Sequence, residues 1–296
     1  MFRTIQEAVD AELAGKMRNY IWRKLPSQAT TAGLWFDMSM SPGMPPPKYW
    51  FDAAPLVARG VYQSVDGGFY HGPNVSPEKK YLRRMTTQAQ ATSTTNISPC
   101  SAILCDYLLY YPSIDDGTTD AQVMDNTVTL PRYTDGAGVQ MLPITVGART
   151  GGQSFFVTYT NQDGVAGRVT PNITQNTSAA IGSITGSNTA TINASNPFIP
   201  LQAGDSGVRL VESVTMNGVD SGLFSIVLVK PLVHVPFRES GISTAGTIST
   251  PYEKDFLLPT DNIPRIYDDA FLNFVILPNG SVATTQFRGD LKVIWT

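Results

Sequence analysis

Charge is scarce in this sequence: Asp, Glu, Lys and Arg make up 15% of its 296 residues, against about 25% in an ordinary soluble domain. The net charge of −3 and the sequence pI near 5.4 leave no broad basic surface, which argues against direct nucleic-acid binding. Only Cys100 and Cys105 carry thiols, excluding a disulfide-dense scaffold and a four-cysteine zinc site. With His71 and His234 as the only histidines, most metalloenzyme constellations are excluded as well. The strongest apolar run, Leu223–Val229, is broken by Ser225 and falls far short of the roughly 20 residues of a membrane-spanning helix. Met1–Tyr20 mixes charge throughout, unlike a signal peptide. The expectation is a soluble protein, made in a reducing cytoplasm, without a membrane partner.

Apolar residues hold an ordinary 42% share, and Ser, Thr, Asn, Gly and Pro replace the missing charge. That balance reads as mostly β. Residues 2–21 carry the one helix signal: Ile5, Val9, Leu13, Met17 and Ile21 recur every four positions, and Pro26 follows. Such a helix packs on its own core or on a neighbouring subunit. Residues 34–59 then combine Pro42, Pro45, Pro46, Pro47 and Pro55 with Trp35, Phe36, Met38, Met40, Met44, Tyr49, Trp50 and Phe51. The prolines forbid helix and central strand, yet the aromatics are costly to leave in water. An extended arm of this kind must lie along the chain's own sandwich or along another molecule; docking between subunits is the favoured reading, with Trp35, Phe36, Tyr49, Trp50 and Phe51 as interface anchors.

From residue 60 onward, short β-like runs alternate with turn clusters such as Asp66-Gly67-Gly68, Asp163-Gly164 and Asn217-Gly218. Ten candidate strands result: Gly60–Val65, Leu82–Thr92, Ala102–Tyr111, Thr127–Leu130, Val139–Val146, Ser154–Thr160, Gly207–Met216, Gly222–Leu232, Phe271–Leu277 and Val282–Ile294. Without crossover helices, they predict a mainly β fold: a jelly-roll-like, two-sheet antiparallel sandwich over 60–296, preceded by a helix and arm over 1–59. An insertion at 169–204 holds no charged residue, and reads as thin β-structure against a neighbour or as a disordered tip.

The motifs that suggest chemistry are weak. Gly204-Asp205-Ser206-Gly207, with His71 and Asp106 upstream, follows the chain order of a serine-protease triad. Val208 and the Phe69-Tyr70-His71-Gly72 context depart from that pattern, and Asp-Ser-Gly before an alternating run is an ordinary turn. Asn-X-Ser/Thr triplets at Asn74, Asn96, Asn172, Asn176, Asn193 and Asn279 follow from composition. Arg288-Gly289-Asp290 lies inside an apparent strand. Cys100 and Cys105 read as buried free thiols, and Asp115, Asp116 and Asp120 lack EF-hand spacing. The dense basic run within Glu78–Arg84 reads as a solvated edge or a contact for an acidic partner rather than a nucleic-acid reader. No catalytic, metal or cofactor residue is assigned.

Trp35-Phe36-Asp37-Met38-Ser39-Met40-Ser41-Pro42-Gly43 and Pro47-Lys48-Tyr49-Trp50-Phe51-Asp52 resemble the N-terminal arm of a group of tailed-bacteriophage virion proteins. Leu228-Val229-Lys230-Pro231-Leu232, Leu258-Pro259, Pro264-Arg265-Ile266-Tyr267-Asp268 and Ala270-Phe271-Leu272-Asn273-Phe274 resemble that group's ending, and Tyr159–Gly164 its middle. The resemblance implies a non-enzymatic decoration or cement protein of the phage head, with a jelly-roll body. Its implied partners are the major capsid protein and copies of itself, as dimer or trimer. The alternative is a tail or adsorption protein that binds host glycan, with Trp35, Tyr49 and Trp50 on an exposed groove.

Overall fold

The computed structural model describes residues 2, 4–90, 100–177, 180–186, 196–237, 251–257, 263–283 and 285–296. Ten strands of four or more residues carry the architecture. They are β1 Met17–Lys24, β2 Lys80–Gln90, β3 Cys100–Asp115, β4 Gln140–Gly147, β5 Ser154–Asn161, β6 Val208–Met216, β7 Leu223–Phe237, β8 Tyr252–Asp255, β9 Phe271–Leu277 and β10 Gln286–Trp295. Among the described residues, helix is confined to α1, Ile5–Leu13, and a single turn α2, Gln63–Asp66. The fold is mainly β, with antiparallel ladders and a short N-terminal helix.

Three hydrogen-bonded sheets divide the strands. The central sheet runs β9–β3–β7–β4, with Phe36–Asp37 added at the β9 edge. The second runs β8–β2–β10–β1, closed by the two-residue strand Gly43–Met44, and the third is built on β5 and β6. Strands β3 and β7 are long enough, at 16 and 15 residues, to meet both other sheets. Their first halves differ in partner from their second. Leu104, Val235, Leu272 and Phe274 pack on Trp22, Met85, Leu291 and Val293 of the second sheet. Leu108, Tyr111, Phe224 and Ile226 pack on Phe155, Val157, Val211 and Val214 of the third. Each sheet thus buries its apolar alternation against another, the arrangement that removes most apolar surface from water. The expected two-sheet sandwich is realised with three sheets.

Eight of the ten expected strands coincide with β2–β7, β9 and β10. Two do not. Thr127–Leu130 is irregular because Asp125 captures the Thr127 N–H at 3.1 Å in an Asx turn and Pro131 follows. In Gly60–Val65, only Gly60 is in a strand, and Asp66 then accepts the Tyr62 N–H at 3.0 Å as α2 begins.

The N-terminal helix is shorter than the four-residue repeat suggests. Thr4 Oγ1 accepts the Glu7 N–H and opens α1. After Leu13 the chain turns at Gly15, whose φ of +76° is open to glycine without steric cost. Residues 17–24 then form β1, paired with β10 along its whole length, from Met17↔Ile294 to Lys24↔Phe287. The helix buries Ala8 and Ala11 on Tyr81 and Ile294, so its Ile5, Val9 and Leu13 stripe faces outward.

Candidate functional site

The segment read as an interface arm is the most informative part of the molecule. Trp35, Phe36 and Trp50 are at most 2% exposed and belong to the protein's own core. Phe36 extends the central sheet opposite Ile276, and Trp35 and Trp50 cover the face of that sheet that the other two leave open. The expectation that these three anchor a neighbouring subunit is corrected: they are already spent on packing. Tyr49 and Phe51 flank Trp50, and local alternation turns both outward, each 44% exposed, with ring centroids 5.4 Å apart. Of the five expected anchors, these two are available to a partner. The division at residue 59 does not mark a break in the core, because β1 and the arm share sheets with the body.

Polar groups hold the arm in place. Asp37 is fully buried and accepts the Trp50 indole N–H at 2.8 Å, the Tyr107 hydroxyl at 2.5 Å and the Ser39 hydroxyl. Burial pushes its carboxyl above the usual carboxylate range, and those donors oppose the rise. Trp50 also stacks on Tyr107, the rings 3° from parallel. Nearby, buried Lys24 donates to the Ser41 carbonyl at 3.0 Å and to the Ser39 carbonyl at 3.3 Å; burial lowers its ammonium to about 8. Lys48 bridges Asp66 at 2.8 Å and Asp52 at 2.6 Å. Five ionisable side chains, Lys24, Asp37, Lys48, Asp52 and Asp66, therefore hold a proline-rich segment that has few ladder hydrogen bonds of its own.

The rest of the buried charge is paired in the same way. Arg132 forks onto Asp106 at 2.7 and 2.9 Å and donates to the Val61 and Tyr107 carbonyls. Arg149 meets Asp116 at 2.7 Å, both side chains fully buried, and Gln175 donates to the same carboxylate at 3.0 Å. The residues in protease order do not form a relay. His71 Nε2 meets the Ala270 carbonyl at 2.9 Å and Nδ1 meets Lys80 Nζ at 3.1 Å. Both ring nitrogens are occupied, and the neighbouring ammonium makes Nδ1 the acceptor. Burial, then the Lys80 charge, lowers the imidazole to about 4. Asp106 is committed to Arg132. Asp205 accepts Tyr159, Asn161 and Arg168 at 2.6–2.8 Å, and Gln162 Oε1 accepts the Ser206 and Gly207 N–H groups at 3.0 Å. The motif is a tied turn.

Both cysteines are buried free thiols, as expected. Asp116 faces Arg149, and among the described residues no group of three His, Cys, Asp or Glu side chains is arranged to hold a metal. Asn176 is buried, whereas Asn74, Asn172 and Asn279 are exposed; Asn96 and Asn193 lie outside the described residues, as do Leu258 and Pro259. The described part of the 169–204 insertion packs on its own chain: Ile173 pairs with Phe155, and buried Ile184 takes the Trp35 carbonyl at 2.8 Å. The sequence pattern did not expose the Arg132–Asp106, Arg149–Asp116 and Arg168–Asp205 pairs, whose members lie far apart in the chain on different elements.

The surface beside Tyr49 and Phe51 is a shallow cavity of about 140 Å³, shared with Gln28, Met40, Ser41 and Pro42. It is the part of the expected interface that remains open to solvent. No family model matches this chain, and no curated protein matches it. Two solved structures align with 95% of this chain and 80% of their own at 10% identity. One is the crystal structure of the infectious bursal disease virus VP2 subviral particle, with a TM-score of 0.18. The other is the structure of the infectious bursal disease virus Gx strain, with a TM-score of 0.16. At scores this low, neither alignment bears on the fold or function of this chain. Among the described residues, no helix is long and apolar enough to cross a membrane.

Proposed function

We infer that this chain is a non-enzymatic virion structural protein, a cement or decoration protein that binds and stabilises the capsid lattice of a phage head. The observation that carries the reading is the pairing of a locked arm with outward aromatics. Trp50 is pinned by Asp37 and Tyr107, so Tyr49 and Phe51 on either side are presented on a fixed support. Aromatic groups held in place before contact lose little freedom on docking, which suits a protein that must seat identically many times. The sequence resemblance of the arm and the C-terminal third points to the same role. Buried Asp37, Lys24, Asp106, Arg132 and His71 are each held by other groups of the chain, which fits a stabilising task. The competing reading, adsorption to host glycan, needs Trp35, Tyr49 and Trp50 on one exposed groove; burial of both tryptophans weighs against it.

The experiment is co-sedimentation of the purified chain with empty phage heads, set beside binding to host envelope glycans. Tyr49→Ala and Phe51→Ala are expected to weaken head binding about 30-fold each, the effect of losing about 2 kcal/mol at an aromatic anchor. Binding to glycan but not to heads would overturn the reading.

A further inference from the structure

The chain enters β2 through residues 70–79, which belong to no strand or helix and bury a single side chain, that of His71. Their attachment to the body is correspondingly sparse. Lys80 Nζ, at the start of β2, donates to the Pro73 carbonyl at 2.9 Å and the Gly72 carbonyl at 3.4 Å. The Asp268 carboxylate accepts the Val75 and Ser76 N–H groups at 3.1 and 3.2 Å. Tyr70 sets its ring edge-on against Tyr20, the centroids 5.1 Å apart. At the far end, Glu78 pairs with Lys16 at 2.5 Å, and Lys79 exchanges hydrogen bonds with Thr296. Between these two ends the segment is held from within by the His71 ring alone.

We propose that His71 is an acid-sensitive latch: a proton added to its ring promotes release of residues 70–79 from the body while the three sheets stay paired. Nε2 donates to the Ala270 carbonyl at 2.9 Å and Nδ1 accepts from Lys80 Nζ at 3.1 Å. The buried ring is therefore neutral, with both nitrogens in use. A further proton has to sit on Nδ1, where it turns an acceptor into a donor and sets two cations side by side out of water. The groups around the pair offer little compensation. Arg132 is a third cation and is committed to Asp106. Asp269 spends its carboxylate on the Ser64 N–H and hydroxyl, at 2.7 and 2.9 Å. Tyr20 lies against Gly72 and carries no charge in this range. Asp268, 3.5 Å from Lys80, already balances that ammonium and holds Val75 and Ser76. The protonated ring thus gains solvation by leaving its site. That step moves one buried side chain, whereas freeing β2 would break the ladder from Lys80↔Trp295 to Gln90↔Gln286, so the opening is local. The latch stands on this cluster and does not depend on the virion reading.

The test is amide hydrogen exchange on the full chain, with each rate divided by its intrinsic value at the same pH. Burial and Lys80 lower the ring from 6.5 to about 4, and the open segment restores the ordinary value. The closed form is therefore favoured above that window and loses ground as pH falls through it. From pH 7 to pH 5 the open form, a minority at both, is expected to rise about 20-fold. Protection of the Val75 and Ser76 amides should fall by that factor while Met85 and Leu291, on β2 and β10, keep theirs. His71→Asn is expected to abolish the pH dependence. Imidazole nitrogen NMR of the unaltered protein gives a second readout, with the ring proton expected on Nε2 at pH 7. Protection at Val75 and Ser76 that ignores pH, that falls equally in His71→Asn, or that falls together with β2 and β10 would overturn the proposal. So would a ring proton on Nδ1.

Discussion

Replacing Trp50 by alanine separates the two roles the arm could have. Trp50 has no exposed surface, stacks on Tyr107, and donates its indole N–H to buried Asp37. Truncating a buried tryptophan costs about 3–5 kcal/mol in lost transfer energy and cavity. Removing a donor from a buried carboxylate adds about 1.5–3 kcal/mol, part of which relaxation and water entry recover. A net loss of about 5 kcal/mol is expected, comparable with the whole stability of many domains. Trp50→Phe keeps the ring but not the N–H, so it is expected to lose about 2 kcal/mol. Phe51→Ala and Tyr49→Ala remove half-exposed rings and should stay within about 1 kcal/mol. Urea unfolding followed by far-ultraviolet circular dichroism reads all four variants, the midpoint shift times the slope giving the loss. A Trp50→Ala loss below 1 kcal/mol, or losses ranked with Phe51 above Trp50, would refute the burial argument.

Deleting residues 1–58 removes β1, Trp22, Trp35, Phe36 and Trp50 together, so the remainder is expected not to give a cooperative melt; a sharp thermal transition would contradict the shared core. His71 sets an acid limit. Its imidazole is lowered from 6.5 to about 4, so between those values the unfolded chain binds the extra proton and stability falls as pH falls. At about 1.4 kcal/mol per pH unit, the full loss approaches 3 kcal/mol. Urea midpoints taken from pH 7 to pH 4 should show this slope, and His71→Asn should flatten it. Asp106→Asn leaves the buried Arg132 charge without its anion, and a loss of about 3–5 kcal/mol is expected from the same unfolding measurement. Fluorophosphonate labelling of Ser206 should be absent, because His71 has no free nitrogen to activate it.

The strands were legible where apolar alternation, as at Val208–Met216, or a short apolar run, as at Phe271–Leu277, lay between turn residues. Strand β1 was not, for a simple reason: a spacing of four is a helical repeat and also an even number. Met17 and Ile21 share one face of a strand just as Ile5 and Val9 share one face of a helix. The local turn at Gly15 and the eight-residue pairing with β10 decide between them, and the pairing depends on residues far along the chain. The arm was legible as apolar surface that must be covered. Its composition does not say by what, and the answer comes from Asp37 and Lys24, whose partners are set by tertiary packing. Tyr49 and Phe51 lie outside that cover, half-exposed.

The account's central claim, that this chain is built into a phage head through Tyr49 and Phe51, is tested most directly by a particle density map at side-chain resolution. The account predicts density for the three-sheet body on the head lattice, with both rings against a neighbouring subunit and Trp50 inside its own chain. Density only at the tail tip, or none in the particle, would contradict it.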